Sequence, residues 1–172
     1  VEFPAGRSVV LLQGARLFIG GGRSITVKGD LFIRGTMRNP VFIRPLSEDA
    51  PFGTVAVVGG TSQRCAISGL YVSGGTGAKL AGIEYGGMVT VRGAALTRIE
   101  SSVFQENTAE ASLVVDGGEL ELRDVRWQAG SKRFARLDHV RGVVHNPVMV
   151  GGGTNGTTGL SIGTGTLAVL GG

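Results

Sequence analysis

The chain has 172 residues, 42% of them hydrophobic, which is enough to bury one continuous core and does not demand a second domain. Its 31 Gly and 5 Pro follow no Gly-X-Y period and are separated by Val, Leu and Ile, which excludes collagen and a flexible linker; no apolar run approaches the ~18 residues of a membrane helix, so no membrane insertion is expected. The net charge of +4 comes from arginines scattered singly, with no basic run and no aromatic base-stacking motif, and no nucleic-acid partner is expected.

The chain opens on "VEFPAG" rather than methionine, shows no cleavable signal pattern, and reads as a fragment of a longer polypeptide. "VVLLQGARLFIGGG" (9–22) is the first expected structural unit. "SITVKGDLFIRGTMRNPVFIRP" (24–45) then offers Ile25/Val27, Leu31/Ile33 and Val41/Ile43 as three short inward-facing segments, with "KGD" and "GTMRNP" as corners where Gly, Asn and Pro suit the special backbone angles. "PLSEDAPFG" (45–53) breaks the alternation with two acids and two prolines, and is expected as a corner loop pushed outward. Cys65 is the sole cysteine, so no internal disulfide and no cysteine metal site is possible, and the compartment stays open.

From here the chain repeats itself. "AISGLYV" (66–72) places Ile67 and Val72 where "TRIESSVF" (97–104) has Ile99 and Phe104. "LELRDVRW" (120–127) repeats the frame with Leu122 and Trp127, a shift of 122 − 99 = 23. "ARLDHVRGVVHNPVM" (135–149) follows at 144 − 122 = 22, setting Ala135, Leu137, Val144 and Met149 on Leu113, Val115, Leu122 and Trp127. "GLSIGTGTLAVLGG" (159–172) repeats 112–124 with Leu160, Ile162, Leu167 and Val169 at a shift of 160 − 113 = 47. Each unit of 22 to 25 residues carries three period-2 segments too short for an amphipathic helix. A unit of that length is what one coil of a solenoid requires. The expected fold is therefore all-β, a right-handed parallel β-helix with three short strands per coil and roughly seven coils, 1–172 forming one domain. Antiparallel hairpins would not place equivalent residues at one shift across three segments. Within this frame Asp124 turns a corner between the wall of Leu120/Leu122 and the wall of Val125/Trp127.

Stacking also predicts the outer rows. Arg98 falls on Glu121, Glu100 on Arg123 with His145 beyond, and Ser101, Asp124 and Asn146 form a polar corner row. Ion pairing across these rows would fix register and contribute only ~0–1 kcal/mol per exposed pair. The same residue types, with Arg126 on the next wall, suit a binding face. Arg98, Glu100, Arg123, Asp124, Arg126 and His145 are the candidate binding residues, and Arg98, Arg123 and Arg126 would meet an acidic polysaccharide. Glu100, Arg123, Asp124 and His145 have the chemistry for cleaving one, but ion pairing explains their spacing and no second acidic row appears, so no catalytic residue is assigned.

No cofactor or metal is expected. "GGTGAK" (74–79) lacks the spacing and the following Ser or Thr of a phosphate loop and reads as a turn between coils. "DGGELE" and "GGGTNG" lack the aspartates of calcium-binding rolls, and His139 and His145 fall on different walls. "NGT" at Asn155 matches the glycosylation sequon. Thr154, Thr157, Thr158, Thr164 and Thr166 resemble one flat threonine face, but earlier coils lack matching threonines.

"GDLFIRGT" followed by "NPVFIRP", "LAGIEYGGMVTVRGAALTRIESSVFQEN" (80–107) and "TTGLSIGTGTLAV" (157–169) together resemble the parallel β-helix modules of CotH-type spore-coat and related extracytoplasmic bacterial proteins. The resemblance covers most of the chain. It implies a secreted or surface setting, while coil regularity, an ion-paired exterior and the absence of a convergent acid/base set point to a non-catalytic role, a rigid scaffold and docking wall for protein or glycan. It also implies an acidic row ahead of the inward residues of the later coils, of which this sequence keeps only Asp138; the kinase-like domain of those proteins is not in this sequence. The stretch 142–172 contains no Asp, Glu, Lys or Arg, so a protein partner or neighbouring subunit is expected at the solenoid ends. A carbohydrate-active module and a trimeric phage tail-spike fragment are the alternatives.

Overall fold

The computed structural model describes residues 1–60, 62–106, 108–128, 133–150 and 158–171. Asn155 and its sequon, the "GGGTNG" stretch, Thr154 and Thr157 lie outside them. The described residues form strands, turns and no helix.

Three walls are built by parallel pairing. The first contains Glu2–Phe3, Ile25–Val27, Val55–Val58 and Gly87–Arg92, then the leading halves of Ala111–Arg123 and Arg133–His145, then Thr158–Ile162. The second contains Val9–Leu12, Leu31–Arg34, Arg64–Ser68 and Leu96–Glu100, the trailing halves of the same two long strands, and Gly165–Leu170. The third contains Arg16–Ile19, Val41–Pro45, Leu70–Ser73, Val103–Gln105, Arg126–Gln128 and Val148–Val150. Six coils therefore carry three strands each, and the first two walls continue into a seventh. The repeat alignment holds residue by residue: Leu122 is the Cα partner of both Ile99 and Val144, and Trp127 of both Phe104 and Met149.

Inward side chains form apolar columns because a period of two sends every second residue of each stacked strand to the same face. Val27, Val57, Val91, Val115 and Leu137 line the first wall, and Ile33, Ile67, Ile99, Leu122 and Val144 the second, all at most 2% exposed. Ile43, Val72, Phe104 and Trp127 fill the third, with the last two rings stacked at 6.2 Å. Burying each such side chain contributes roughly 1.5–3 kcal/mol relative to leaving it in water.

The corners explain the small and polar residues between segments. Gly69, Ser101, Asp124 and Asn146 occupy equivalent places between the second and third walls, with φ of 59°, 47°, 51° and 47°. That left-handed backbone suits glycine and short polar side chains that bond locally. At the other end of the second wall Gly118 has φ 83°, and a Cβ there would lie 2.0 Å from the Ala94 carbonyl oxygen, so only glycine fits.

Two insertions depart from the bare coil. The 45–53 loop exposes Leu46, Ser47, Glu48 and Asp49 as expected, but it does not stay outside: Phe52 returns fully buried to the core, and its amide donates to the Gly74 carbonyl at 3.1 Å. The turn expected at 74–79 begins as one, with Thr76 and Gly77 bonded back to Phe52 and Gly53, and then runs into a hairpin that the repeat pattern does not announce. Ala78–Leu80 pairs antiparallel with Ile83–Tyr85 around Ala81 and Gly82, both at positive φ. The hairpin lies against the first wall: Tyr85 is buried beneath the Arg92 guanidinium, 6.0 Å from its ring centre, and Ile83 and Tyr85 line a cleft with Val58, Arg92 and Asp116. The outward-facing Ala56, Thr90 and Val114 of that wall are buried as well.

Candidate functional site

The six candidate residues fall on two walls and the corner between them. Arg98, Glu100, Arg123 and His145 point outward from the second wall in the predicted register, Asp124 occupies the corner, and Arg126 is exposed on the third wall. The first ionic row forms as expected: Arg98 Nε donates to Glu121 Oε2 at 2.7 Å. The second does not. Although Glu100 and Arg123 are Cα partners, Arg123 reaches along its own strand to Glu121 Oε1 at 3.3 Å, and among the described residues Glu100 forms no ion pair. The Arg98 hydrogen bond, reinforced by Arg123, holds the Glu121 carboxyl below the usual carboxylate range.

The polar corner row forms, with Asn146 Nδ2 donating to Asp124 Oδ1 at 3.1 Å. Asp124 therefore works as a left-handed turn residue with a bonded neighbour, and Arg98 and Arg123 share one carboxylate between them. Both arginines are engaged, so the pair does not form a free cationic track. The histidines also separate: His139 sits at the corner of the first and second walls with Nδ1 2.9 Å from Asp116 Oδ1, whereas His145 lies at the far end of the second wall. Among the described residues no cluster of three His, Cys, Asp or Glu side chains is placed to hold a metal ion.

Two clusters escape the sequence reading, which traced outer rows only between Arg98 and Asn146 on the second wall and its corner. The first is a charge network on the outer edge of the first wall. Glu110 binds Arg133 at 2.5 Å and Arg136 at 3.1 Å, Arg136 also meets Asp138 at 3.1 Å, and Asp116 lies between Arg92 at 3.3 Å and His139. Except for the Arg136–Asp138 contact along one strand, these ion pairs link adjacent coils.

The second cluster is on the first coils of the third wall. There the outward positions of "ARLF", "VFIRP" and "LYVS" carry Arg16, Phe18, Phe42, Arg44 and Tyr71. Phe42 and Tyr71 are Cα partners with ring centres 5.5 Å apart, Arg16 lies 5.7 Å from the Phe42 ring, and Arg44 lies 5.1 Å from Phe42 and 4.9 Å from Tyr71. Between this face and the 45–53 loop runs a groove of about 720 Å³, lined by Phe18, Arg44, Tyr71, Glu48, Gln105 and Glu106 among others. The available signal was aromatic and arginine side chains at outward positions, where an inert solvated wall would carry small or polar ones.

Against protein-family models, curated proteins and solved structures the chain finds no match, and none of the three links it to CotH-type proteins.

Proposed function

We propose that this chain is a non-catalytic module of a larger extracytoplasmic or surface protein, a rigid scaffold whose outer walls dock a protein or glycan. The observation that carries the reading is the single unbroken register: six three-strand coils stack on one filled apolar shaft, which gives a stiff rod on the order of 30 Å long with flat, addressable faces. The local chemistry supports the same reading. Arg98 and Arg123 share the single Glu121 carboxylate, Asp124 serves the turn, and Glu100 is the Cα partner of an arginine that is engaged elsewhere. The extracytoplasmic setting rests on the sequence resemblance.

Incubation with a panel of polyuronates, followed for new reducing ends and for absorbance from unsaturated product, tests the reading. No turnover is expected. Turnover abolished by Arg123→Ala or Glu100→Gln would overturn it in favour of a carbohydrate-cleaving enzyme.

A further inference from the structure

The groove on the third wall holds a cation that the protein does not neutralise. Arg44 stacks over two aromatic rings and, among the described residues, has no carboxylate within ion-pair distance. Arg98 and Arg123, in contrast, are both engaged by Glu121. Stacking orients the plane of a guanidinium and leaves its edge N–H groups free for a planar acceptor such as a carboxylate. Phe18, the Cα partner of Arg44, is 56% exposed beside it. Glu48, Gln105 and Glu106 add hydrogen-bond acceptors and donors along the same groove. Arg126 continues this face. It is reached through the outward row Phe42, Tyr71, Val103, Arg126, and it too has no carboxylate partner among the described residues. Arg44 belongs to the second coil and Arg126 to the fifth, three strand spacings apart, roughly 14 Å along the axis.

Building on the docking role proposed above, the geometry points to the outer face of the third wall, from Arg44 to Arg126, as the binding site of an acidic oligosaccharide running along the solenoid axis. Its carboxylates meet the two arginines, an apolar sugar face lies on Phe18 and Tyr71, and its hydroxyls meet Glu48, Gln105 and Glu106. The alternatives fit less well. A single-stranded nucleic acid could stack on the same rings but presents few hydroxyls for Glu48 and Glu106 to accept from, whereas every sugar of an oligosaccharide presents at least one. A peptide strand binds by adding to an unpaired sheet edge, and the strands that carry Arg44, Tyr71, Val103 and Arg126 are already paired to coils on both sides. A neutral sugar would leave both guanidiniums without a counterpart.

Isothermal titration of the whole chain with a short oligogalacturonate tests this. Binding is expected, weaker in high salt, and reduced about tenfold or more by Arg44→Ala, the worth of one charge-assisted hydrogen bond. Arg44→Lys is expected to recover part of the loss because it keeps the charge without the fork, and Arg126→Ala reads the far end independently of any folding effect at Arg44. Arg98→Ala is expected to bind as the wild type does. Equal affinity for the methyl-esterified oligomer, dependence on Arg98 in place of Arg44, or tighter binding of oligothymidylate would each overturn the assignment. So would the absence of binding by the folded wild type, which leaves the scaffold reading standing because that reading falls only to turnover.

Discussion

Cys65 shows how the stack treats a single side chain. It is an inward residue of the second wall, placed between Leu31 and Thr97, fully buried, and burial pushes its thiol up to about 12. Because the thiolate is the reactive form, a thiol reagent at neutral pH should leave the folded protein unlabelled and modify it stoichiometrically in denaturant; rapid labelling without denaturant would contradict this burial. Glu121 is the opposite case, a surface carboxyl whose ionised form is favoured by Arg98 first and Arg123 second. A folded pKa below the unfolded value means that the pair stabilises the fold above the ordinary glutamate range, near 4.3, and that the contribution disappears as pH falls through the lowered folded value. Arg98→Ala should therefore cost less than about 1 kcal/mol at neutral pH, and the gap between variant and wild type should close in acid. Denaturant midpoints across pH and an NMR titration of the Glu121 carboxyl check both halves. Asp124 tests the corner itself. At φ 51° a β-branched side chain is strained, so Asp124→Val should lose roughly 1–2 kcal/mol whereas Asp124→Gly stays close to the wild type. Similar melting of the two variants would remove the turn role.

At the scale of the strand, stability is set by inward positions repeated from coil to coil. Trp127 is completely buried against Phe104 and offers an indole N–H with no partner among the described residues. Trp127→Ala should cost about 3–5 kcal/mol, and Trp127→Phe distinctly less because it fills most of the space and removes the orphaned donor; the comparison of midpoints decides. Strand positions were legible because this physics leaves a trace in sequence. Leu113, Val115 and Leu122 face inward and must be apolar, and their partners in adjacent coils are apolar at the same places, so one alignment recovers the register. What escaped has the opposite character. The 78–85 hairpin occurs once, so no second copy exists to align it with, and Phe52 sits in a segment whose prolines and acids mark a surface loop although its ring is needed inside. Among the candidate site residues, stacking placed Arg98 on Glu121, but it could not say that Arg123 would turn along its own strand, because the rotamer of a long exposed side chain is chosen by local competition between carboxylates. The aromatic–arginine face was present at outward positions all along, unremarked because outward residues carry no requirement from the core.

For the molecule as a whole, a solenoid is nearly one-dimensional, and each coil is stabilised by the coils above and below it. The central coils have both neighbours: Val89, Val91, Leu113, Val115 and Leu122 are at most 1% exposed. The outer ones lack this. Ile162 and Val169, inward positions of the last coil, are 46% and 51% exposed, the inward Val9 and Leu11 of the first coil are only half-buried, and an apolar hollow of about 340 Å³ opens at that end among Phe3, Val9, Leu11 and Leu17. Neither outer strand of the second wall carries a charge to discourage a further strand from pairing with it, since Val9–Leu12 is wholly apolar and Gly165–Leu170 uncharged. For the isolated chain at low concentration, opening should therefore be easiest at both ends and hardest at the centre, so amide hydrogen exchange should show a protection gradient with its maximum over 87–92, 96–100 and 111–123 and its minimum over 2–12 and 158–170. Uniform protection in a monomer would contradict nearest-neighbour stabilisation. Protection at the ends that rises with protein concentration would show instead that coils of different molecules can stack, because any layer closing an end must repeat the same three-wall register to satisfy both the edge hydrogen bonds and the exposed apolar column.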